Sequence, residues 1–168
     1  MKQKNTWMLC LIVIAMISTA TTSWAIDRLG YIGQSYFMPL VIQPDKNLGA
    51  QHYQVDSAYF LSEQWAYGIN VSIATNQDQR VWIATGPEYY MLQDSQLTPF
   101  VYVRLLYSIL PNGDLGWSMG FGFEYNLGSF WLENLALKTS FGLRQIFFQN
   151  QEDQILLELV QLGIHWSF

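Results

Sequence analysis

The chain has 168 residues, 51% of them hydrophobic, 16% aromatic and only 12% charged, with a formal net charge of −5. Acidity and the lack of a Lys/Arg stripe exclude a nucleic-acid binder held by its phosphates. A length of this order suits one domain.

The start reads as a secretory signal peptide. Lys2 and Lys4 give a basic head, Trp7 to Ile17 an apolar run, and Ser23-Trp24-Ala25 a small-x-small cleavage site. The run is too short to span a bilayer of about 30 Å comfortably as a helix. Residues 1–25 are therefore expected to be removed, leaving a single domain over residues 26–168. Cys10, the only cysteine, would go with the leader, because Leu9 before it does not fit a lipoprotein signal. The processed chain would then hold no thiol, and 6 basic against 13 acidic residues. No processed segment has the long uncharged apolar run of a membrane helix.

Beyond the leader the residues alternate with a period of two, the signature of β-strands. A first strand is expected over Arg28 to Val41. Its facing is open, since Leu29, Tyr31 and Phe37 compete with Ile32, Tyr36 and Met38. The loop Gln43 to Gly49 leads to a second strand, Gln51 to Leu61, with Tyr53, Val55, Tyr59 and Leu61 on one face and His52, Gln54, Asp56 and Ala58 on the other. A third spans Trp65 to Ala74. A fourth spans Arg80 to Leu92, with Val81, Ile83, Tyr89 and Met91 opposite Glu88; Pro87, which cannot donate to a ladder, predicts a bulge or bend. The fifth, Thr98 to Ile109, sets Val101, Val103, Leu105, Tyr107 and Ile109 against Tyr102, Arg104 and Ser108. Asn112-Gly113 is a hairpin signal. In the sixth, Trp117 to Leu127, Met119, Phe121, Phe123 and Tyr125 oppose Gly120, Gly122 and Glu124. The seventh, Leu135 to Phe148, carries Lys138, Ser140, Gly142 and Arg144 on its polar face, with the pattern slipping after Gln145. The eighth, Ile155 to Phe168, ends in Val160, Leu162, Ile164, Trp166 and Phe168, each separated by one small or polar residue.

Eight strands with short connections can close into an antiparallel ring, which leaves no unpaired edge. Alternation alone does not say which face is outside. The polar face here is rich in Gly, Ser, Ala and Asn rather than Lys, Glu and Asp, which suits a crowded lumen rather than water. Large apolar residues suit lipid. Nine residues at about 3.3 Å, tilted about 40°, cover roughly 23 Å of depth, close to the apolar band of membrane barrels. The fold class is all-β, an eight-stranded antiparallel up-and-down transmembrane barrel. Aromatics fall near strand ends, as in interfacial girdles: Tyr59, Trp65, Tyr67, Tyr89, Tyr125, Phe130, Trp131, Trp166 and Phe168 at one rim, and Trp82, Tyr107, Trp117 and Phe147 at the other.

Three segments carry a family resemblance: Thr98-Pro99-Phe100-Val101-Tyr102-Val103, Gly120-Phe121-Gly122-Phe123-Glu124-Tyr125-Asn126-Leu127, and Leu162 to Phe168. Together they resemble strands of the small outer-membrane barrels of the outer-membrane protein A-like and opacity type. The resemblance implies a Gram-negative outer membrane, contact with its lipid and lipopolysaccharide, and recognition of the Val160, Leu162, Ile164, Trp166, Phe168 strand by the barrel-assembly machinery. Two departures stand out. No peptidoglycan-binding segment is expected after the barrel, and the loops are short where adhesive members have long ones. A monomer is expected.

Six charges share the polar phase: Asp56, Glu88, Arg104, Glu124, Lys138 and Arg144. A buried unpaired charge costs several kcal/mol, so an ion-pair network filling the lumen is expected. It holds the barrel shut, gates a narrow path, or only lets the charges satisfy one another in a filled interior, and a broken ladder at Pro87 would suit a side opening for hydrophobic solutes. Some small outer-membrane barrels modify lipid A with a His, a Ser and an acid. Here the only histidines are His52 and His165. His165 with Ser167 lies at the end away from outer-leaflet lipid, and His52 has no evident Ser partner. No metal, nucleotide or other cofactor signature is present, and no catalytic residues are assigned.

Overall fold

The computed structural model describes residues 29–43, 47–48, 50–75, 80–91, 96–110, 113–127, 134–148 and 152–168. The expected signal peptide, Cys10, Phe130 and Trp131 lie outside them.

The strands are β1 (Gly30–Gln43), the two-residue β2 (Asn47–Leu48), β3 (His52–Phe60), β4 (Trp65–Ala74), β5 (Val81–Tyr90), β6 (Leu97–Leu110), β7 (Leu115–Asn126), β8 (Leu135–Phe147) and β9 (Gln154–Ser167). Apart from β2, which folds back on β1 at Leu40 and Val41, each pairs antiparallel with its neighbour in sequence. β9 then pairs with β1 and closes the ring of eight. At the base the two ends of the sheet are tied by backbone bonds from Leu29 N and Gly30 N to Phe168 O, at 2.9 and 3.1 Å. At the far end Gly113 takes φ = 69°, a left-handed conformation that glycine adopts without a Cβ penalty.

The apolar faces point outward. Val71, Leu105, Phe121, Leu137 and Leu162 all lie exposed on the outer wall, while Asp56, Glu88 and Arg104 are buried inside. Such a surface is unsuited to water and suited to hydrocarbon. Pairing of β9 with β1 leaves neither end of the eight-stranded sheet open, as a bilayer requires.

Several local expectations change. β1 resolves its ambiguity with Tyr31, Ser35, Phe37 and Val41 inward and Ile32, Tyr36 and Ile42 outward. Pro87 makes no bulge. The β5–β6 register is the same on both sides of it, with Thr85 opposite Leu105 and Glu88 opposite Tyr102. The ladder pairs at Gly86 and Pro87 are missing, but the wall stays closed there: a Cβ on Gly86 would run into the Val103 carbonyl; the ladder's register shift lies elsewhere, between Val81 and Trp82. The slip after Gln145 does not occur either, since Ile146 continues inward and Phe147 outward. Trp82 is not a girdle residue. It is buried inside with Val41, Ala84, Leu106, Ile146 and Leu156. The other described rim aromatics point outward or lie part-exposed on the wall.

The lumen is not filled by glycines and charges alone. Tyr31, Phe37, Phe60, Tyr90, Phe100 and Tyr102 are also buried there. The glycines make the space. Phe100 lies across the ladder from Gly122 and Tyr102 from Gly120. A Cβ on Gly122 would stand 2.6 Å from Phe100 Cζ, and one on Gly142 2.3 Å from the Tyr102 hydroxyl. Overpacking of this kind costs about 1–3 kcal/mol. Gly142→Ala is expected to lose about that much in urea unfolding from lipid vesicles, and Tyr102→Phe in the same chain to recover part of it. Additive losses would show that the two positions do not share this space.

Candidate functional site

Alternation on seven strands, and a defect on the eighth, deliver the lumen charges. On β5 the inward phase carries Glu88, on β6 Arg104 and on β8 Lys138. Glu88 is fully buried and sits at the centre. Its Oε1 is 2.5 Å from Arg104 Nη2 and its Oε2 is 2.9 Å from Lys138 Nζ. The hydroxyls of Tyr31 and Tyr90 each donate to the same Oε2 at 2.9 Å. Lys138 Nζ also donates to Tyr31 OH and Tyr90 OH, at 2.9 and 3.0 Å. Aromatic faces supply the rest of the cation's surroundings: Lys138 Nζ is 4.2 Å from the Phe100 ring centroid, and the Arg104 guanidinium carbon 4.3 Å from that of Tyr102. Charge-assisted bonds of this density are the pairing that a buried carboxylate between two cations requires.

A second centre lies toward the far end. Arg144 Nη2 is 2.6 Å from Glu158 Oε1, and the Tyr102 hydroxyl donates to Glu158 Oε2 at 3.0 Å. Glu158 is not one of the six expected lumen charges, and Arg144 pairs with none of them. A regular strand that points Gln161 and His165 inward would turn Glu158 out. Here β9 carries a bulge: Ser140 faces Gln161 but Gly142 faces Glu158, and the register to β1 shifts at the same place. Leu159 and Val160 both point out, and Glu158 turns in. The spacing of Glu158 and Gln161, an odd number of residues apart in an apolar run, is the signal that could have shown it.

Asp56 forms a third group. It accepts hydrogen bonds from Ser35 Oγ (2.6 Å) and from Gln54 Nε2, and lies 3.7 Å from His165 Nε2. Gln161 Nε2 donates to Ser35 Oγ at 2.6 Å, and Ser140 Oγ to Gln161 Oε1 at 3.2 Å. His165 stacks on Tyr31 at 4.4 Å. The free space among these groups is about 10 Å³, room for one water. Glu124 is buried directly across the ladder from Lys138. Thus all six expected charges lie in the lumen, in centres that Tyr31 and Tyr102 join.

The histidines sit inside as well. His52 stacks on Phe37 at 4.7 Å, and His165 is 1% exposed, enclosed by Tyr31 and Asp56. The residues expected to mark the strand for assembly, Val160, Leu162, Ile164, Trp166 and Phe168, are all exposed on the outer wall. No group of three or more His, Cys, Asp or Glu side chains suited to a metal occurs among the described residues.

Polar charges inside, apolar residues outside and a closed ring of eight antiparallel strands decide the class. The fold is that of the small eight-stranded outer-membrane β-barrels. Solved structures agree. The N-terminal β-barrel domain of Pseudomonas aeruginosa OprF is 14% identical, with a TM-score of 0.58, covering 84% of this chain and 98% of that one. Neisserial surface protein A is 11% identical, with a TM-score of 0.61, covering 83% and 97%. Ail of Yersinia pestis, solved in complex with the heparin analogue sucrose octasulfate, is 10% identical, with a TM-score of 0.52, covering 83% and 97%. No family model and no curated protein matches the sequence. At these identities the likeness is one of barrel architecture.

Proposed function

We propose that the chain is a non-catalytic integral outer-membrane protein of a Gram-negative cell, exported by a cleaved signal peptide, with a structural or surface role and a lumen closed to solutes. The observation that carries this reading is the filling of the lumen along its length. An apolar layer of Tyr31, Phe60, Tyr90, Phe100 and Tyr102 lies toward the base, and another around Trp82 and Leu106 toward the far end. The ion pairs of Glu88 and Glu158 lie between them. Charges would have to shed their partners, and ions their water, to pass. Surface contact with lipid and lipopolysaccharide follows from the apolar outer wall.

The refolded protein in planar bilayers is expected to show no resolvable ion conductance. Glu88→Gln and Glu124→Gln should be silent too, because both apolar layers remain. A steady single-channel current from the unsubstituted protein would replace this reading with that of a narrow channel. Lipid A is expected to have an unchanged mass spectrum after overexpression, and a new lipid A species dependent on His165 would make the protein an enzyme.

A further inference from the structure

The outer wall is apolar but for a few polar side chains between the rims. Among the described residues, three of these are satisfied. Ser57 Oγ donates to the Ile69 carbonyl at 3.2 Å, Thr85 Oγ1 to the Gly68 carbonyl at 3.1 Å, and Gln145 Oε1 accepts from Trp117 Nε1 at 3.1 Å. The side chains of Gln34 and Thr139 have no hydrogen-bond partner among the described residues. Gln34 is exposed on β1, and Thr139 part-exposed on β8. Only β9 separates them, with Ile164 beside Gln34 and Leu162 beside Thr139. Exposed apolar side chains surround both on the outer wall, with Val55 on the other side of Gln34.

Depth makes Gln34 costly. It lies four residues along β1 from Gly30, which faces the rim residue Tyr59. At about 3.3 Å per residue and about 40° of tilt that is roughly 10 Å into the apolar band, farther than a Gln side chain reaches. An amide facing hydrocarbon without a partner is strongly disfavoured. The primary amide is self-complementary, since its carbonyl accepts what its NH₂ donates. Copies inserted in the same orientation hold Gln34 at the same depth, and a two-fold axis along the membrane normal brings the residue onto its own counterpart.

We propose that the β1–β9–β8 wall is the contact face of a homodimer, centred on a Gln34–Gln34 amide pair with Thr139 beside it. The wall's exposed apolar side chains, Ile32, Leu137, Leu162 and Ile164 among them, supply the packing, and the amide pair sets the register.

The test is energy transfer between donor- and acceptor-labelled copies of the full barrel in phosphatidylcholine vesicles, over a series of protein-to-lipid ratios. The unsubstituted protein should self-associate. Gln34→Leu, an apolar change on a lipid-facing surface, should fold normally and associate about tenfold more weakly, the scale of one hydrogen bond within a membrane. Gln34→Asn, which keeps the amide, should retain association. Leu105→Ala, on the opposite wall, should have no effect. Absence of transfer in the unsubstituted protein, or equal association of Gln34→Leu, would overturn the proposal.

Discussion

Glu88→Ala should cost the folded barrel about 3–5 kcal/mol, the range for removing one partner of a buried ion pair. Glu88 is the one carboxylate shared by Arg104 and Lys138, and both cations are less than a tenth exposed. Its removal strands two like charges in a tight lumen. It also takes the acceptor from the Tyr31 and Tyr90 hydroxyls. Urea unfolding from lipid vesicles, followed by tryptophan fluorescence, measures the loss. Glu88→Gln keeps the side chain's volume and some hydrogen bonding but strands the same cations, so it should fall between the two. Adding Lys138→Met to Glu88→Gln removes one stranded charge and should restore stability, with the coupling read from a double-mutant cycle. A loss from Glu88→Ala below about 1 kcal/mol would mean that the pairs are screened as surface pairs are, and the lumen would then be wet rather than closed.

The second large effect tests the outer wall. Phe121→Arg is expected to cost about 2–4 kcal/mol in a bilayer, the range for a cation near the midplane of a membrane barrel. Phe121 lies in the middle of β7, points outward and stacks on Phe141 with ring centroids 5.6 Å apart. Tyr125 shares its face but lies near the base rim. Tyr125→Arg should therefore cost only about 0–1 kcal/mol, because a rim cation reaches the headgroups. The gradient between the two positions is the diagnostic result. Equal, small losses at both would place this face in water, and the transmembrane reading would fail.

Much of the barrel is legible in the residues alone. The strands differ from their expected bounds by two residues or fewer at each end. Asp56, Glu88, Arg104, Glu124, Lys138 and Arg144 take the inward phase that alternation assigns them. Those positions are readable because a strand sends every second side chain to one face. The differences fall where both faces of a strand look alike. β1 offers Tyr31 and Phe37 against Ile32 and Tyr36, and the run Ile155 to Val160 is apolar on both sides apart from Glu158. Polarity gives no phase there. Trp82 reads as a rim residue because an aromatic near a strand end fits a girdle as well as it fits a plug.

By itself the sequence determined the architecture: eight alternating segments, short turns, and small or charged residues opposite large apolar ones. Period and turn chemistry are local, so they survive in one dimension. Only the tertiary structure decided the pairing. Which acid meets which base depends on strands far apart in the chain, as with Glu88 and Lys138, 50 residues apart. Register decides it, and the β9 bulge that turns Glu158 toward Arg144 is set jointly by β1 and β8. The match of Phe100 and Tyr102 to Gly120, Gly122 and Gly142 is equally collective, because space inside a closed ring exists only once the ring has closed.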